Sequence, residues 1–516
     1  MLRILHEHKS TNTDEYNNSG TRNRNWRNVL IHNKLLLFTF IVLLTFIYEW
    51  FPLYLIPVLS VFSWICMMNR KNYLLAQLTA VRGLALGGGG LTLDWSKITM
   101  YLGSPLIVPS WALINIAFGF ILIIWLIVPI VYGTNVRNVQ AQPIGGIIFP
   151  ELTSMHLVTM FTSFACLPAV FVHTFLFHMS DLWNQFRSKA LYNMGNDVHT
   201  RLISLYRNVP DWWFCLVFTV SLIVICVICN HTGWLKWYLV LLSLFIYILL
   251  VLPFGLVASI TGQFLQNAPV YYFGVIISQG LSLGKESKQS YIFLTVGYVL
   301  FIQTLALVQD MKLGHYLKIG HLPLFVAQCL AGFICSSINV GIQYIYFKIY
   351  GFNNEYNSNI SIFDYTLLGR SLFKNVNGFL SDANETNRYL LWAFLGGAVL
   401  PIPGWLLSRW TRFNCLKHLH WPLILVTISW IPALLSAGAL FTWILIGLTV
   451  YFTIGKYTWT KRYIYLASGA LDVGVNMTQI FVNTLFINQK HSFPVWGRAK
   501  LNNEWDSCTL ALSGKN

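Results

Sequence analysis

Charge is what this chain has least of. Only 10% of its 516 residues are Asp, Glu, Lys or Arg, while 56% are hydrophobic, a balance outside the range of soluble domains. Acidic groups are the scarcer sign, 18 against 34 basic ones, for a net charge of +16. In a soluble protein such an excess would raise nucleic acid as a partner. Here the Lys and Arg residues are spread over short links between apolar runs, as contact with anionic headgroups and the setting of topology require. Membrane lipid is therefore expected as a partner, and nucleic acid is not.

Signature motifs are missing too. There is no G-x-S-x-G elbow, nucleotide-binding Gly-Lys-Ser/Thr loop, dinucleotide fingerprint or H-E-x-x-H pair. Lack of a nucleotide loop argues against an ATP-driven pump and leaves an ion gradient to drive any active transport. No set of nucleophile, base and oxyanion donors marks an enzyme, and no cofactor is expected. The nine cysteines are scattered, and the Cys226-x-x-Cys229 pair lies inside an apolar run with no second pair beside it, which reads as packing. His173, His178 and His199 do not compose a metal site, because an i, i+5 spacing directs the first two to different faces of a helix.

What is present is apolar sequence of membrane-spanning length. Runs occupy 35–68, 105–132, 156–178, 213–229, 237–260, 270–283, 291–307, 323–347, 389–407, 421–454 and 463–487. With roughly 20 residues per crossing, these predict an all-α polytopic membrane protein of about ten or more transmembrane segments. The first and tenth runs are too long for one crossing and contain Pro52, Pro57, Pro422 and Pro432. Each is expected to divide, since proline removes a helical donor. The run 270–283 is too short to cross. Broken and re-entrant helices of this kind favour a transporter or channel over a simple anchor.

Three regions follow: a basic polar cytosolic tail over 1–33, a transmembrane domain over 34–487, and a carboxy-terminal tail over 488–516. The tail cannot be a cleavable signal, because the apolar run after it is too long. The polar loop 350–388 carries two glycosylation acceptors, Asn359 and Asn384, and is expected outside. The next loop, with Arg409, Arg412 and Lys417, should face the cytosol, as should the link holding Lys456, Lys461 and Arg462. Both can do so only if 421–454 is a hairpin bent between Pro432 and Gly438. The glycine-rich stretch from Gly83 to Gly90 lacks the strand and the Lys-Ser/Thr of a phosphate cradle, and reads as a flexible or close-packed re-entrant element.

Against this background one string stands out, Gln309-Asp310-Met311-Lys312-Leu313-Gly314-His315-Tyr316-Leu317-Lys318. An ionised Asp or Lys at the centre of a membrane helix costs about 2.5 to 3.5 kcal/mol, so the string needs partners, water or a task. One reading is an interfacial loop whose lysines snorkel to the headgroups. The other is a site for protons or substrate charge, in which a carboxylate and an imidazole change charge as a cavity opens to either side. Asp472, between Gly469 and Gly474 in the last run, is a second intramembrane carboxylate.

The string from Gln309 to Ile319 resembles the Gln-Asp-x-Lys-x-Gly-His-Tyr-x-Lys-Ile pattern of the oligopeptide transporter family of fungi and plants. Further similarities follow in order: Trp50-Phe-Pro52, Leu59-Ser-Val-Phe-Ser-Trp64, Leu93-Asp-Trp-Ser96, Gly103-Ser-Pro-Leu106, His173-Thr-x-Leu-Phe-His178, Val209-Pro-Asp-Trp-Trp213 and Ser468-Gly-Ala-Leu-Asp-Val-Gly474. On this resemblance the chain is identified as a member of the fungal type.

The resemblance implies a proton-coupled secondary carrier of small oligopeptides or peptide-like conjugates, in the plasma membrane. Asp310, Lys312, His315, Tyr316, Lys318 and Asp472 are expected along the proton and substrate pathway. Three departures accompany it. The family's Lys-Ile-Pro-Pro-Arg continues here as Lys318-Ile319-Gly320-His321-Leu322, its Pro-Pro-Ala-Thr is reduced to Ile431-Pro432-Ala433-Leu434, and its amino-terminal spans with an Asn-Pro-Gly motif have no counterpart. The alternative expectation is thus a truncated, transport-inactive member that inserts in the membrane or associates with full-length relatives.

Overall fold

The computed structural model describes residues 34–60, 62–69, 72–80, 87–100, 102–135, 140, 154–187, 202–203, 206–263, 267–280, 287–350, 385–410, 418–434, 437–453, 455 and 457–487. Asn359, Asn384, His199, Arg412, Lys417, Lys456 and both tails lie outside the described residues, as does most of the 350–388 loop.

Among the described residues nearly all regular structure is helical, as the apolar runs predict. Helix α1 (Lys34–Tyr48) gives way at Pro52 to a π-turn (Phe51–Leu55) and at Pro57 to a 3-10 turn (Pro57–Ser60). Three short helices follow, α2 (Trp64–Met68), α3 (Tyr73–Thr79) and α4 (Trp95–Thr99), then α5 (Ser110–Ile121), which runs through a π-turn into α6 (Val128–Gly133). That π-turn lies one turn before Pro129, which cannot donate back into the helix. The long helices are α7 (Ser154–Arg187), α8 (Asp211–His231), α9 (Trp237–Thr261), α10 (Asn267–Gly280), α11 (Ser287–Leu317) and α12 (His321–Tyr350). The last elements are α13 (Glu385–Val399), α14 (Pro401–Trp410), α15 (Trp421–Leu434), α16 (Ala437–Phe452) and α17 (Thr458–Val482). Seven helical stretches among the described residues are long and apolar enough to cross a membrane.

Helix α7 is the organising element. It packs against α15, α13, α10, α14 and α9, while α9 pairs with α11 and α17 pairs with α1. The main core joins Phe120 of α5, Val170 of α7, Phe254 of α9, Phe301 of α11, Ile424 of α15 and Trp443 of α16. Cys229 is buried in a second cluster with Leu235 and Phe293, a packing place for the C-x-x-C segment.

The hairpin expected within 421–454 has a structural counterpart. His420 meets Asn115 and Thr427 meets Gly119, so α15 runs parallel to α5. Gly447 meets Leu113 and Phe441 stacks on Phe120, so α16 runs back along the same helix. Helices α15 and α16 therefore run in opposite directions along α5.

Helix α17 lies against α1 at Gly474, where an added Cβ would stand 2.7 Å from Thr45 Cβ and 2.8 Å from the Val42 carbonyl. Gly474→Val should destabilise the protein by about 1–3 kcal/mol by overpacking, whereas Gly332→Ala, with nothing within 4 Å, should be nearly neutral. The apparent unfolding temperature of the two variants in detergent checks this contrast.

Candidate functional site

The described part of the glycine-rich element is not an open loop. Gly87 to Gly90 are buried, and Gly90 passes Gly438 so closely that a Cβ at 438 would lie 3.2 Å from Gly90 backbone atoms. The chain then forms an antiparallel bridge, Leu91 to Phe62, and enters α4 through a cap. Asp94 accepts from the N–H groups of Ser96 (3.0 Å) and Lys97 (3.3 Å) and from the Ser96 hydroxyl. A short carboxylate ahead of a helix satisfies orphan amides in this way.

Trp95 is the centre of the polar junction. Its backbone N–H donates to Glu49 Oε1 at 2.9 Å, and its indole Nε1–H donates to Asp472 Oδ1 at 2.9 Å. One residue thus ties the end of α1 to α17 through two carboxyl groups. Glu49 is 2% exposed and Asp94 1% exposed. Tyr48 donates from its hydroxyl to the Leu93 carbonyl (2.9 Å), and Lys97 Nζ donates to Ser60 Oγ (2.9 Å). Burial moves the Lys97 ammonium below its ordinary range, and the Asp94 charge opposes that shift. Buried carboxyl groups in an apolar body are the groups best suited to hold and release protons.

Histidines form a second centre. The His173 and His420 rings are 4.1 Å apart between centroids, and His178 lies 5.9 Å from His173. The i, i+5 spacing had set His173 and His178 on different faces, and the flat aromatic rings nevertheless approach.

The string from Asp310 to Lys318 closes α11 and is helical up to Leu317. The apolar part before it, Tyr291 to Val308, is about 27 Å long at 1.5 Å per residue, close to a hydrocarbon core of about 30 Å. The charges thus begin where that length is spent. Asp310, Lys312, Tyr316 and Lys318 are exposed on the described surface and His315 is half-buried. Gly314 is buried against Leu324 of α12, and on the same face Asp310 accepts from Gln328 Nε2 at 2.9 Å. Lys312 Nζ stands 5.0 Å from the Tyr316 ring centroid. Lys318 has a φ of 60°, and Ile319 N–H donates to the Gly314 carbonyl at 2.9 Å. This is a left-handed helix stop, normally given to glycine.

The structure brings Asp472 together with Trp95 but keeps it apart from the Asp310–Lys318 string, which belongs to another helix pair. Glu49, Asn115 and His420 were missed in the sequence. Glu49 had a signal, being the only acidic residue in the first apolar run.

A nearly all-helical body of long apolar helices, broken at prolines and closed over buried carboxyl and imidazole groups, defines a multi-pass integral membrane protein. The chain belongs to the OPT oligopeptide transporter family, whose sequence profile matches residues 1–486. Three similar proteins are from Arabidopsis thaliana. Oligopeptide transporter 7 is 30% identical over 90% of this chain and 65% of its own length. Oligopeptide transporter 6 is 27% identical over 92% and 69%, and oligopeptide transporter 2 is 28% identical over 89% and 67%. The chain therefore spans about two thirds of the length of these relatives. No solved structure matches it.

Two stability outcomes follow from the geometry. Trp95→Phe removes the indole donor and should cost about 1–3 kcal/mol. Asp472→Asn should add little to it, and a double-mutant cycle of unfolding temperatures reads that coupling. Lys318→Gly should instead raise the unfolding temperature, because it relieves about 1 kcal/mol of left-handed strain at the end of α11.

Proposed function

We propose that this protein is a proton-coupled secondary transporter that carries small oligopeptides or peptide-like conjugates across the plasma membrane. The observation that carries the reading is the family match over residues 1–486, joined by relatives named oligopeptide transporters. On this reading, the charged end of α11 is a mouth where Asp310, Lys312, His315, Tyr316 and Lys318 meet the ammonium and carboxylate ends of a peptide. Such exposed groups pair with a zwitterion at little desolvation cost. Asp472, with Glu49 and Asp94 around Trp95, provides deeper carboxyl groups for proton binding. Energy comes from the proton gradient.

A second reading is association with longer members of the family. Helix α12 favours it: the window that makes it a membrane-length helix has none of its residues buried, and Asn339 and Gln343 are exposed one turn apart on it. Amides in lipid seek partners on neighbouring helices.

The chain should be expressed in cells that lack peptide carriers, and uptake of a labelled tetrapeptide measured at acid and neutral outside pH. Uptake is expected to rise at acid pH. Asp472→Asn should abolish that stimulation, and Asp310→Asn should lower uptake at both pH values. No uptake by a correctly inserted chain overturns the carrier reading. Co-purification with a tagged longer relative, lost in Asn339→Leu with Gln343→Leu, would then support association.

A further inference from the structure

We propose that His173 and His420 form a single proton-binding unit, with Nδ1 of His173 as the atom that takes the proton. Its use as a coupling site alongside Asp472 rests on the transport reading above; its existence as a proton site does not. Both imidazoles are 5% exposed, and His173 lies well inside the apolar stretch Phe161–Asn184. Ionisable groups at such depth are retained for a task.

Hydrogen bonding fixes which atom is open. His420 Nδ1 accepts the Leu423 N–H at 3.3 Å, so its ring hydrogen is on Nε2, and adding a proton at Nδ1 would break the bond that opens α15. His173 Nδ1 is buried with no hydrogen-bond partner. In the tautomer with its hydrogen on Nε2, His173 presents an unshared lone pair at Nδ1. It is not alone on α7: Ser163 Oγ and Thr174 Oγ1 are also buried without partners, and unsatisfied polar atoms gathered along one helix mark a path for water or a polar solute. Phe177 stacks on His173 at 4.5 Å between centroids, and its face stabilises the imidazolium.

The pair takes one proton, not two. Rings 4.1 Å apart cannot both be cationic without strong repulsion, so they titrate as a unit. A proton moves from hydronium on the open side to His173 Nδ1, leaving water, and the reverse transfer releases it on the other side. Other titratable groups on the elements packed at the pair are His178 and Cys166 of α7, Asp181 further along α7, and His418 ahead of α15; Arg409 of α14 lies over the Trp405 ring. Helix α5 contributes only neutral groups here, Trp111 and Asn115.

The unit sits where a charge can move helices. Asn115 Oδ1 accepts the His420 backbone N–H (2.9 Å), and Asn115 Nδ2 donates to the His418 carbonyl (2.7 Å). This clamp holds the entry to α15 on α5, beside the helix that carries His173. Protonation of the pair thus acts on the junction of α5, α7 and α15.

The test uses the full chain in lipid with 15N-labelled histidine, and solid-state NMR across pH 4 to 8 as about the usable range around the ordinary imidazole value. Signals are assigned by their loss in His173→Gln and His420→Gln. If either variant fails to fold, Phe177→Leu, which keeps both imidazoles, assigns them by shifting the same two signals. The two signals should move together in one step that takes up a single proton, with the change centred on His173 Nδ1. In tetrapeptide uptake, His173→Gln should lower acid stimulation roughly tenfold, the loss expected when coupling worth about one pH unit is removed. Independent titration of the two rings overturns the unit. Unaltered acid stimulation in a folded His173→Gln overturns its coupling role while leaving the carrier reading intact. If the unsubstituted chain takes up no peptide, the carrier reading fails and the NMR result alone decides the unit.

Discussion

In an apolar body without water, each polar group of unwound backbone must find a partner inside the protein, and the segment entering α4 meets that demand almost atom by atom. Gly90 N–H donates to Gly87 O, and Phe62 and Leu91 exchange both backbone bonds. Thr92 N–H donates to Thr442 Oγ1, Leu93 N–H to Leu59 O, Asp94 N–H to Thr92 Oγ1 and Trp95 N–H to Glu49 Oε1. This non-helical segment can be stable in an apolar body because Glu49 after α1, Thr442 of α16 and its own side chains accept or donate at each step. Trp95 then joins Glu49 through its backbone N–H and Asp472 through its indole, directly after the Asp94 cap.

Pairing is less complete on α7. The buried groups without partners are Ser163 Oγ, His173 Nδ1, Thr174 Oγ1, Tyr247 Oη, Gln263 Oε1 and Ser290 Oγ among the described residues, and three of the six belong to that helix. A helix packed by α15, α13, α10, α14 and α9 is shielded from lipid along much of its length, so lipid contact cannot explain these atoms.

Much of the fold was legible because its signals are local. Apolar runs of spanning length are set by bilayer thickness, and proline acts on the turn that contains it. The breaks after Tyr48 and Leu434 could therefore be foreseen from Pro52 and Pro432. The carboxylate Asp472 and the Asp310–Lys318 string could be singled out by the rarity of charge. What could not be read was assembly across distance. Trp95 and Asp472 are 377 positions apart, and nothing in the period of either run says that the indole reaches the carboxylate. His420 lies in the polar link just before an apolar run. Its burial depends on Asn115, 305 positions away, an amide that looks like any other polar residue in an apolar run. The i, i+5 argument for His173 and His178 judged Cβ directions, and planar side chains with two free torsions reach beyond those directions.

The exposed string at the end of α11 and the buried polar groups differ in how they can hold charge. Exposed charges at the end of α11 can exchange partners freely, since water stabilises them when the solute leaves. Groups such as Glu49, His173 and His420 cannot rely on water, and any charge they gain must be matched by a partner or by movement of the chain. On the proposed carrier reading, the exposed string is the part given to recognition, where binding must be reversible. On the same proposal, the buried carboxyl and imidazole groups are the part given to coupling, where adding one proton has to cost enough to shift a conformational balance. Asn115 joins the two requirements at the inner site, because the amide that positions His420 also fastens α15 to α5.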